Sequence, residues 1–553
     1  MDEFVPMDEK SSETDWNFAD ICEAVAQRVP ERPAQTQGGR VITWRELDCR
    51  VNALAADFLE AGLTHQSKVV CYLHNCPEYL ETMVAAFKVA MVPVNLNFRY
   101  GAEEILYLLD NADAEAVVFH ATYTDLVESV REKLPQVRRW YVVADDSGAE
   151  PSWATPYAAV VATGSPTPPA TPWGRTGDDL LLLYTGGTTG MPKGVMWRQD
   201  DLFNALGAGG STVFGTPPAA HLEELTARID PAAARGQVLI PACPLMHGTG
   251  QFSALKSMAV GGTIVSLTSR RFDVDELLTT IERHRATDVI IVGEAFGGPI
   301  LDALEATPGK YDLSSLALIV SSGAMWGQQS KDGILRHIPQ ALVFDSYGSS
   351  EAIGLGGSVS GANGTEQTAR FVIGPRAGVF TEDGRRVEPG SGKKGLMSVG
   401  GFIPLGYYKD EAKTAATFHT FEGRRWSVPG DWATVNEDGT VNLLGRGSLC
   451  INTGGEKVFP EEVEIALRTH PAIRDAVAVG IPNDRFGEAV CAIVETEGGA
   501  TVTLPDINEY VKSKLAAYKA PRHLVVVDTI GRAPNGKADY RKLMRTALER
   551  LGA

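Results

Sequence analysis

The sequence predicts an α/β protein, with a large N-terminal domain of stacked αβ subdomains and a small C-terminal α+β domain. Two observations lead to this prediction. Short apolar runs alternate with helical patterns along most of the chain, which is typical of parallel sheets covered by helices. The composition then shifts at Leu444–Lys457, and a compact pattern of about 100 residues follows, a normal size for a separate domain.

The individual elements follow from the spacing of apolar residues. In the first block, strands are expected at 68–75 and 114–121, with a helix at 77–90 that has proline in its first turn. Further strands are expected at 262–267, 288–293 and 316–322, with a helix at 272–286. The C-terminal region predicts helices at 458–470 and 504–516 and strands at 476–482, 489–495 and 523–528.

Boundaries are indicated by changes in composition. Residues 1–17 are acidic and are expected to form a loose tail. Residues 18–446 are assigned to the N-terminal domain and 447–553 to the C-terminal domain, with the boundary at the Gly445–Ser448 turn. The proline-rich stretch Ser165–Gly174 is expected to be a linker, and Phe214–Gly236 an insertion with one short helix.

Composition excludes several classes of protein. With 553 residues, several lobes are expected. The formal charge of -18 argues against a general nucleic-acid binder, although a pocket can still be locally positive. The seven cysteines form no CxxC and no zinc spacing, which favours reduced thiols in a cytosolic protein. Neither a signal peptide nor a membrane span is expected.

The stretch LLLYTGGTTGMPKGVMW, Leu181–Trp197, predicts a loop that holds phosphate. Its glycines let backbone N–H groups converge on an anion, and its threonines add hydroxyl donors. It is not a Walker A loop, because Lys193 follows Pro192 and Gly194 stands where a Ser or Thr is required. Taken alone, the stretch is more typical of a flexible Gly/Thr turn between two strands.

Four further motifs lie downstream, and they read FDSYGSSEAIG, VPGDWA, LGRG and RAPNGKADYR. In this order and with these gaps, the set resembles the adenylate-forming superfamily of acyl-CoA synthetases, aryl-CoA ligases, peptide-synthetase adenylation domains and beetle luciferases. The resemblance covers Phe18–Leu543. Within that superfamily, TGGTTG, VMWR and the glycine- and proline-rich insertion are most similar to bacterial fatty-acyl-CoA synthetases that activate steroid-derived acids.

The resemblance implies a two-step reaction that uses ATP, Mg²⁺ and coenzyme A. A carboxylate attacks the α-phosphorus of ATP to give acyl-AMP and pyrophosphate, and the thiolate of coenzyme A then displaces AMP. Both reactants of the first step are anionic, so positioning and electrostatics are expected to dominate.

The resemblance also assigns the nucleotide site. The β- and γ-phosphates would be held by Thr185, Gly186, Gly187, Thr188, Thr189, Gly190 and Lys193. Gly187 stands where most relatives carry serine, which removes one hydroxyl donor. The remaining cofactor-binding residues are expected to be Gly323, Ala324, Asp345, Ser346, Tyr347, Gly348, Ser349, Asp431, Arg446 and Gly455.

Particular roles follow for some of these residues. Tyr347 would stack on adenine, and Asp345 would accept a hydrogen bond from its amino group. Asp431 would accept both ribose hydroxyls, and Arg446 would reach the ribose or a phosphate. The other interpretations are core packing for Tyr347 and a turn residue for Asp431.

Three residues are expected to act in catalysis or metal binding. Glu351 would bind Mg²⁺, with a solvated loop carboxylate as the other interpretation. Ser350 would place a hydroxyl beside the α-phosphate. Lys537, which could also be a plain surface lysine, would stabilise charge during adenylation only.

The resemblance further implies that the small domain turns between the two half-reactions. The hinge falls on Ser448, where relatives carry Asp or Lys. After the turn, Gly455 would face the pantetheine tunnel.

The acyl pocket is predicted at His247, Gly293, Glu294, Gly298, Ala324, Ile353 and Gly354. Small residues leave room for a bulky acid, but they are equally typical of tight turns. His247 would gate the tunnel or be a satisfied core histidine. Glu294 would meet a substrate hydroxyl.

Two other functions stay open at this stage. One is an adenylation enzyme that loads a separate carrier protein; because few residues follow Lys537, we do not expect an attached carrier domain. The other is a P-loop-like ATP-hydrolysing binding protein, which would release ADP rather than AMP. The partners expected are a carboxylic acid, ATP, coenzyme A and, in a homodimer, a second copy of the chain.

Overall fold

The computed structural model describes residues 14–185, 191–233, 235–362, 364, 369–446, 451–453, 456–483, 487–515, 517–533 and 536–552. The 28 strands of these ranges belong to four sheets. The first three sheets form the large domain, and the fourth forms the small domain. Of the helices in the described ranges, none is both long and apolar enough to cross a membrane.

The helices in chain order are α1 (Phe18–Arg28), α2 (Trp44–Glu60), α3 (Pro77–Lys88), α4 (Ala102–Asn111), α5 (Thr124–Arg131), α6 (Tyr157–Ala162), α7 (Gln199–Ala205), α8 (Leu222–Ala227), α9 (Gly248–Ala259), α10 (Val274–His284), α11 (Glu294–Ala306), α12 (Gln328–His337), α13 (Glu411–Thr417), α14 (Pro460–Arg468), α15 (Leu504–Lys514) and α16 (Tyr540–Leu551).

The strands are β1 (Pro33–Gln37), β2 (Arg40–Thr43), β3 (Lys68–Tyr72), β4 (Val92–Asn95), β5 (Ala114–His120), β6 (Arg139–Val143), β7 (Thr155–Pro156), β8 (Leu180–Thr185), β9 (Lys193–Arg198), β10 (Val238–Pro241), β11 (Thr263–Ser266), β12 (Asp288–Ile291), β13 (Leu318–Ser322), β14 (Leu342–Ser349), β15 (Ala352–Ser360), β16 (Arg370–Phe371), β17 (Ala377–Phe380), β18 (Lys394–Gly400), β19 (Gly406–Tyr407), β20 (Phe418–Phe421), β21 (Arg424–Ser427), β22 (Asp431–Val435), β23 (Val441–Arg446), β24 (Ile451–Thr453), β25 (Glu456–Val458), β26 (Ile473–Asn483), β27 (Gly487–Thr496) and β28 (His523–Val527).

The predicted elements are confirmed with small shifts at their ends. The strand expected at 68–75 ends at Tyr72, because Asn75 leaves the sheet and its side-chain amide donates to the carbonyls of Pro241 and Cys243. The insertion carries the expected short helix, α8. Its six residues are the only helix that the structure shows in the described part of 214–236.

Two large sheets are mainly parallel, as expected. The first has the strand order β15-β14-β13-β12-β10-β11-β1-β2, and the second β19-β9-β8-β4-β3-β5-β6-β7. In the first, β14, β13, β12, β10, β11 and β1 are successively parallel, and antiparallel strands close both ends. Helices cover these apolar strands, and one continuous core joins the two sheets.

The third sheet, between Arg370 and Arg446, is antiparallel and was not predicted. Its strands are short, and the neighbouring pairs β20–β21 and β22–β23 are joined by short hairpin turns rather than crossover helices. The β20–β21 hairpin turns at Glu422 and Gly423, which have φ angles of 52° and 75°. Positive φ at both central positions suits the twist of a two-residue hairpin.

The small domain packs helices on both faces of its sheet. Alternate residues of β26 face opposite sides, with Ala476 and Ala478 towards α14 and α15, and Val477 and Val479 towards α16. This separate core supports the assignment of residues 447–553 to a second domain.

The first residues are more ordered than the predicted loose tail of 1–17. The Thr14 hydroxyl and the Trp16 amide both donate to Asp200, at 2.8 and 2.9 Å, and the Trp16 ring is buried. Asn17 caps α1 through its side chain. The expectation of a loose tail is therefore wrong for residues 14–17, because the large Trp16 ring packs into the hydrophobic core. Residues 1–13 lie outside the described ranges.

A buried ion cluster ties the first three helices together. The Lys88 ammonium on α3 is fully buried and contacts Glu23 on α1 at 2.8 Å and Asp48 on α2 at 2.7 Å. Arg175 also binds Glu23, at 2.8 Å. Each buried charge therefore has a partner of opposite sign, which offsets its loss of hydration.

Replacing the cation should destabilise the large domain. Lys88→Met keeps most of the side-chain length but leaves two carboxylates without their ammonium, so we expect a loss of about 3 kcal/mol or more. Urea unfolding followed by tryptophan fluorescence measures it. Lys133→Met, at an exposed lysine, is the matched control. Equal stability of the two variants would contradict a stabilising role for the cluster.

Candidate active site

The site begins where three parallel strands end. Strands β12, β13 and β14 are neighbours, and Ser322 at the end of β13 pairs with Ser346 of β14. The carboxyl ends of parallel strands meet at the same edge of a sheet, where ligands commonly bind. Gly323 and Ala324, which follow β13, therefore lie beside Ser346 and Tyr347.

A cavity of about 2040 Å³ opens at this edge, and both domains line it. It brings together residues that are far apart in sequence. The sequence-predicted residues along it are Thr185, Lys193, His247, Gly323, Ala324, Asp345, Ser346, Tyr347, Gly348, Ser349, Ser350, Glu351, Ile353, Gly354, Asp431 and Lys537.

Some predicted residues cannot be placed. Gly186, Gly187, Thr188, Thr189, Gly190, Ser448 and Gly455 lie outside the described residues, and their roles stay predictions. The two ends of the glycine loop are described: Thr185 and Lys193 face each other across the β8–β9 hairpin. The Lys193 ammonium forms an ion pair with Asp410. The backbone of Arg446 pairs with Asp431 between β23 and β22.

Glu351 brings a carboxylate to the cavity next to a tyrosine. The Tyr407 hydroxyl donates to the Glu351 carboxylate at 2.8 Å, and the Ser427 hydroxyl donates to the Glu351 carbonyl at 2.7 Å. Within the described ranges, no three His, Cys, Asp or Glu side chains group into a site that could hold a metal by themselves. A single carboxylate fits Mg²⁺, which usually keeps waters and substrate phosphates as its other ligands.

An aromatic pair and a buried ion pair also lie at the cavity. The Tyr347 ring stacks on Phe371, with centroids 5.1 Å apart and planes at 23°. Lys331, whose side chain has no exposed surface, contacts Asp345 at 2.7 Å. Burial raises the pKa of Asp345, and Lys331 opposes that shift. Sequence reasoning missed both Phe371 and Lys331, which carry no motif.

Two serines follow Tyr347. The indole N–H of Trp197 donates to the Ser350 carbonyl at 3.0 Å, which fixes this loop against β9. The Ser349 hydroxyl is buried and makes no hydrogen bond to any of the described residues. A buried hydroxyl of this kind is costly unless a ligand or water satisfies it.

His247 occupies the N-cap position of α9, without a capping hydrogen bond from its side chain, and lines the cavity near Lys537. Its Nε2 atom is buried and makes no hydrogen bond within the described part of the chain. Burial, with smaller effects from Lys537 and Arg99, lowers the pKa of His247 to about 4. The imidazole is therefore neutral at pH 7, and the interpretation as a satisfied core histidine finds no support.

Lys537 reaches the cavity because its loop docks on the large domain. A Cβ added at Gly536 would lie 2.8 Å from the carbonyl oxygen of Val292 and 3.1 Å from the Cβ of Ala324. Gly536 also has a φ of 72°, a conformation that favours glycine. Only glycine lets the backbone approach this closely, and the next residue is Lys537.

A buried network in the small domain holds this loop. The Asp475 carboxylate accepts from Arg532 at 2.6 and 3.0 Å and from Arg468 at 2.9 Å. Arg532 also donates to the Gly536 carbonyl at 3.2 Å. Burial alone would raise the pKa of Asp475, but the two guanidinium groups hold it below its ordinary value. Arg532 stands in the RAPNGKADYR motif; Asp475 had no signal in the sequence.

Three residues predicted for the acyl pocket do not line the cavity: Gly293, Glu294 and Gly298. Glu294 accepts hydrogen bonds from the Ser330 hydroxyl and, at 2.9 Å, from the Gly327 amide. Its carboxylate therefore satisfies donors at the N-terminus of α12. Burial raises its pKa. The expectation that Glu294 meets a substrate hydroxyl is therefore wrong.

The glycines beside Glu294 also have structural reasons. A Cβ at Gly293 would lie 2.5 Å from the Met325 carbonyl oxygen, and one at Gly298 would lie 3.2 Å from a Glu294 carboxylate oxygen. Close packing against the 323–327 loop thus accounts for Gly293, and the Glu294 side chain of the same helix lies against Gly298. Small residues at these two positions give no evidence of space for a substrate.

A cavity at the carboxyl edge of a parallel sheet, flanked by Thr185 and Lys193 and by a lysine of the second domain, is the arrangement expected of an enzyme that binds a nucleotide. Comparison with known proteins agrees. The AMP-binding enzyme model matches residues 22–408, and the model of the C-terminal domain of AMP-binding enzymes matches residues 462–537. The chain belongs to the AMP-binding enzyme family, and it is an AMP-forming acid–thiol ligase.

The relatives extend over nearly the whole chain. A 3-oxocholest-4-en-26-oate–CoA ligase of Rhodococcus rhodochrous is 41% identical over 533 residues, covering 95% of each chain. A medium/long-chain-fatty-acid–CoA/3-oxocholest-4-en-26-oate–CoA ligase of Mycolicibacterium smegmatis is 40% identical with the same coverage. The crystal structure of an anthranilate CoA ligase in complex with anthranoyl-AMP shares the fold, with a TM-score of 0.82 at 21% identity, covering 99% of this chain and all of that one.

The Asp475 network predicts a positioning residue for the first half-reaction. Asp475→Asn removes the charge that holds Arg532 and should let the Gly536–Lys537 loop move. We expect acid-dependent ATP–pyrophosphate exchange to fall by about tenfold to a hundredfold. Thioester formation from supplied acyl-adenylate should fall less, because Lys537 is expected to act only in adenylation.

Asp528→Asn, at an exposed aspartate of the same domain, is the control. Circular dichroism establishes that both variants are folded. Normal exchange in a folded Asp475→Asn variant, or equal losses in both half-reactions, would contradict the positioning role.

Proposed function

We propose that the protein joins a bulky ring-containing or a medium- to long-chain carboxylic acid to coenzyme A through an acyl-adenylate. The observation that carries this proposal is the docking of the Gly536–Lys537 loop on Val292 and Ala324, at the edge where the nucleotide motifs converge. The names of the relatives, which are ligases of 3-oxocholest-4-en-26-oate and of fatty acids, support this choice of acid.

In the first step, a carboxylate oxygen of the acid attacks the α-phosphorus of ATP, and pyrophosphate leaves. Lys193 and the 185–190 loop would hold the outer phosphates. Lys537 would neutralise charge on the carboxylate and the α-phosphate as the new bond forms, which lowers the barrier rather than improving ground-state binding. The neutral His247 adds no positive charge there, so it would shape the passage for the acid.

The nucleoside would lie between Tyr347 and Asp431. Adenine would use the Tyr347 face that Phe371 leaves uncovered, and the ribose hydroxyls would donate to Asp431. Asp345 is paired with Lys331, and its remaining lone pairs would accept a hydrogen bond from the adenine amino group. Glu351 would hold Mg²⁺, which when bound neutralises charge on the phosphates.

In the second step, the thiolate attacks the acyl carbonyl carbon, and AMP leaves. We propose that the small domain first turns near Ser448, withdraws Lys537 and brings Gly455 to the pantetheine. Arg446, at the domain junction, would contact the ribose or a phosphate of the nucleotide. A homodimeric assembly and a cytosolic location remain part of this proposal.

The test is an acid screen with ATP, Mg²⁺ and coenzyme A, read by mass detection of acyl-CoA and by AMP and pyrophosphate release. We expect ring-containing acids to be preferred over palmitate. Release of ADP and phosphate would instead indicate ATP hydrolysis, and AMP release that needs a carrier protein would indicate a carrier-loading enzyme. A preference for palmitate would overturn the choice of a bulky acid.

Lys537→Ala should lower acid-dependent ATP–pyrophosphate exchange by about a hundredfold or more, because a charge that stabilises the transition state is lost. ATP binding should change much less. Lys542→Ala, on α16 of the same domain, is the control. Near-normal exchange in Lys537→Ala would remove the assigned role.

A further inference from the structure

The cavity extends well beyond the nucleotide motifs, along a groove between α9 and the first sheet; its use by the acid rests on the proposed function. Residues at helical spacing on α9 line one side: Thr249, Phe252, Ser253, Lys256 and Val260. Alternate residues of β13 and of β12, continued by Val292 just after its end, line the other side: Asp288, Ile290, Val292, Leu318, Val320 and Ser322.

This groove has a reactive end and a far end. Val292 lies against Gly536, next to Lys537, and so marks the reactive end. Asp288 lies four residues earlier on the same line of β12, which is about 13 Å away. On α9, Lys256 lies seven residues beyond Thr249, which is about 10 Å. Lys256 and Asp288 therefore sit together at the far end.

The middle of the groove is apolar, but its far end is polar. Phe252, Ile290 and Val320 line the middle. At the far end, Asp288 accepts hydrogen bonds from Thr287 and Gln237. A polar end on an apolar groove is unexpected if the occupant is a plain hydrocarbon chain, because the chain would cover these groups without satisfying them.

Lys256 is the group at the far end that still needs a partner. It is partly buried, and burial lowers its pKa, an effect that the charge of Asp288 partly offsets. Within the described residues, its ammonium makes no hydrogen bond and no ion pair. An ammonium has three donors, and because Lys256 lines the cavity, an acceptor atom of a ligand in the groove can take one of them.

We propose that the acid carries a neutral oxygen, in a carbonyl or hydroxyl group, at the end remote from its carboxylate, and that Lys256 donates a hydrogen bond to it. Asp288 lies near the ammonium without forming an ion pair with it, and its charge partly offsets that of Lys256. A second carboxylate on the substrate is disfavoured, because it would meet the negative charge of Asp288. The site thereby selects oxygenated acids from acids of similar shape.

The test compares matched acids in the wild-type enzyme. One pair is a steroid acid with a ring carbonyl and the same acid without that oxygen; the other is a chain acid with and without an oxo group near its far end. We expect kcat/KM to favour an oxo acid by about tenfold or more, the size of one hydrogen bond to a charged group. Equal kcat/KM within both pairs would overturn the inference.

A variant separates this contact from the shape of the groove. Lys256→Met should reduce the preference for the oxo acid about tenfold, whereas Lys256→Arg, which keeps a donor, should retain part of it. Lys133→Met is the control and should leave the preference unchanged. If Lys256→Met lowers kcat/KM equally for both acids of a pair, the inference is wrong. If the variant does not fold, the comparison of the two acids in the wild-type enzyme decides.

The two proposals fail in different ways. If no acid supports AMP formation, the proposed function falls together with this inference. If AMP forms with other acids but with no member of either pair, or without preference for the oxygen, only the inference falls.

Discussion

The loops that follow β12, β13 and β14 must meet, because parallel neighbouring strands end at one edge of their sheet. The rest of the site is arranged against that edge. The β8–β9 hairpin of the second sheet brings Lys193 to it, and the third sheet brings Asp431. The small domain brings Lys537 to it through the close approach of the Gly536 backbone to Val292.

Charged side chains at the site form ion pairs. Lys193 contacts Asp410, Lys331 contacts Asp345, and Arg532 contacts Asp475. These pairs explain how an acidic chain, with a formal charge of -18, can place cations where an anionic nucleotide would bind. The partner carboxylates hold the cations in fixed positions and reduce the cost of burying them.

Much of this arrangement could be predicted from the sequence. Strands such as β5 and helices such as α3 have the apolar spacing of their class, and the short α8 lies inside the predicted insertion. The motif residues Tyr347, Glu351, Asp431 and Lys537 line one cavity, as the resemblance implied. The antiparallel third sheet was missed, because its strands are short and weakly patterned.

The sequence by itself determined the periodic elements, the family and the residues of the nucleotide motifs, because apolar spacing and motif order are local properties of the chain. Only the tertiary structure decided which polar groups became partners. It assigned Glu294 to α12 rather than to the substrate, placed Asp475 behind the Lys537 loop, and left Lys256 beside Asp288 at the end of the groove. Such pairings depend on distances between residues remote in sequence, and those distances are set only when the domains pack.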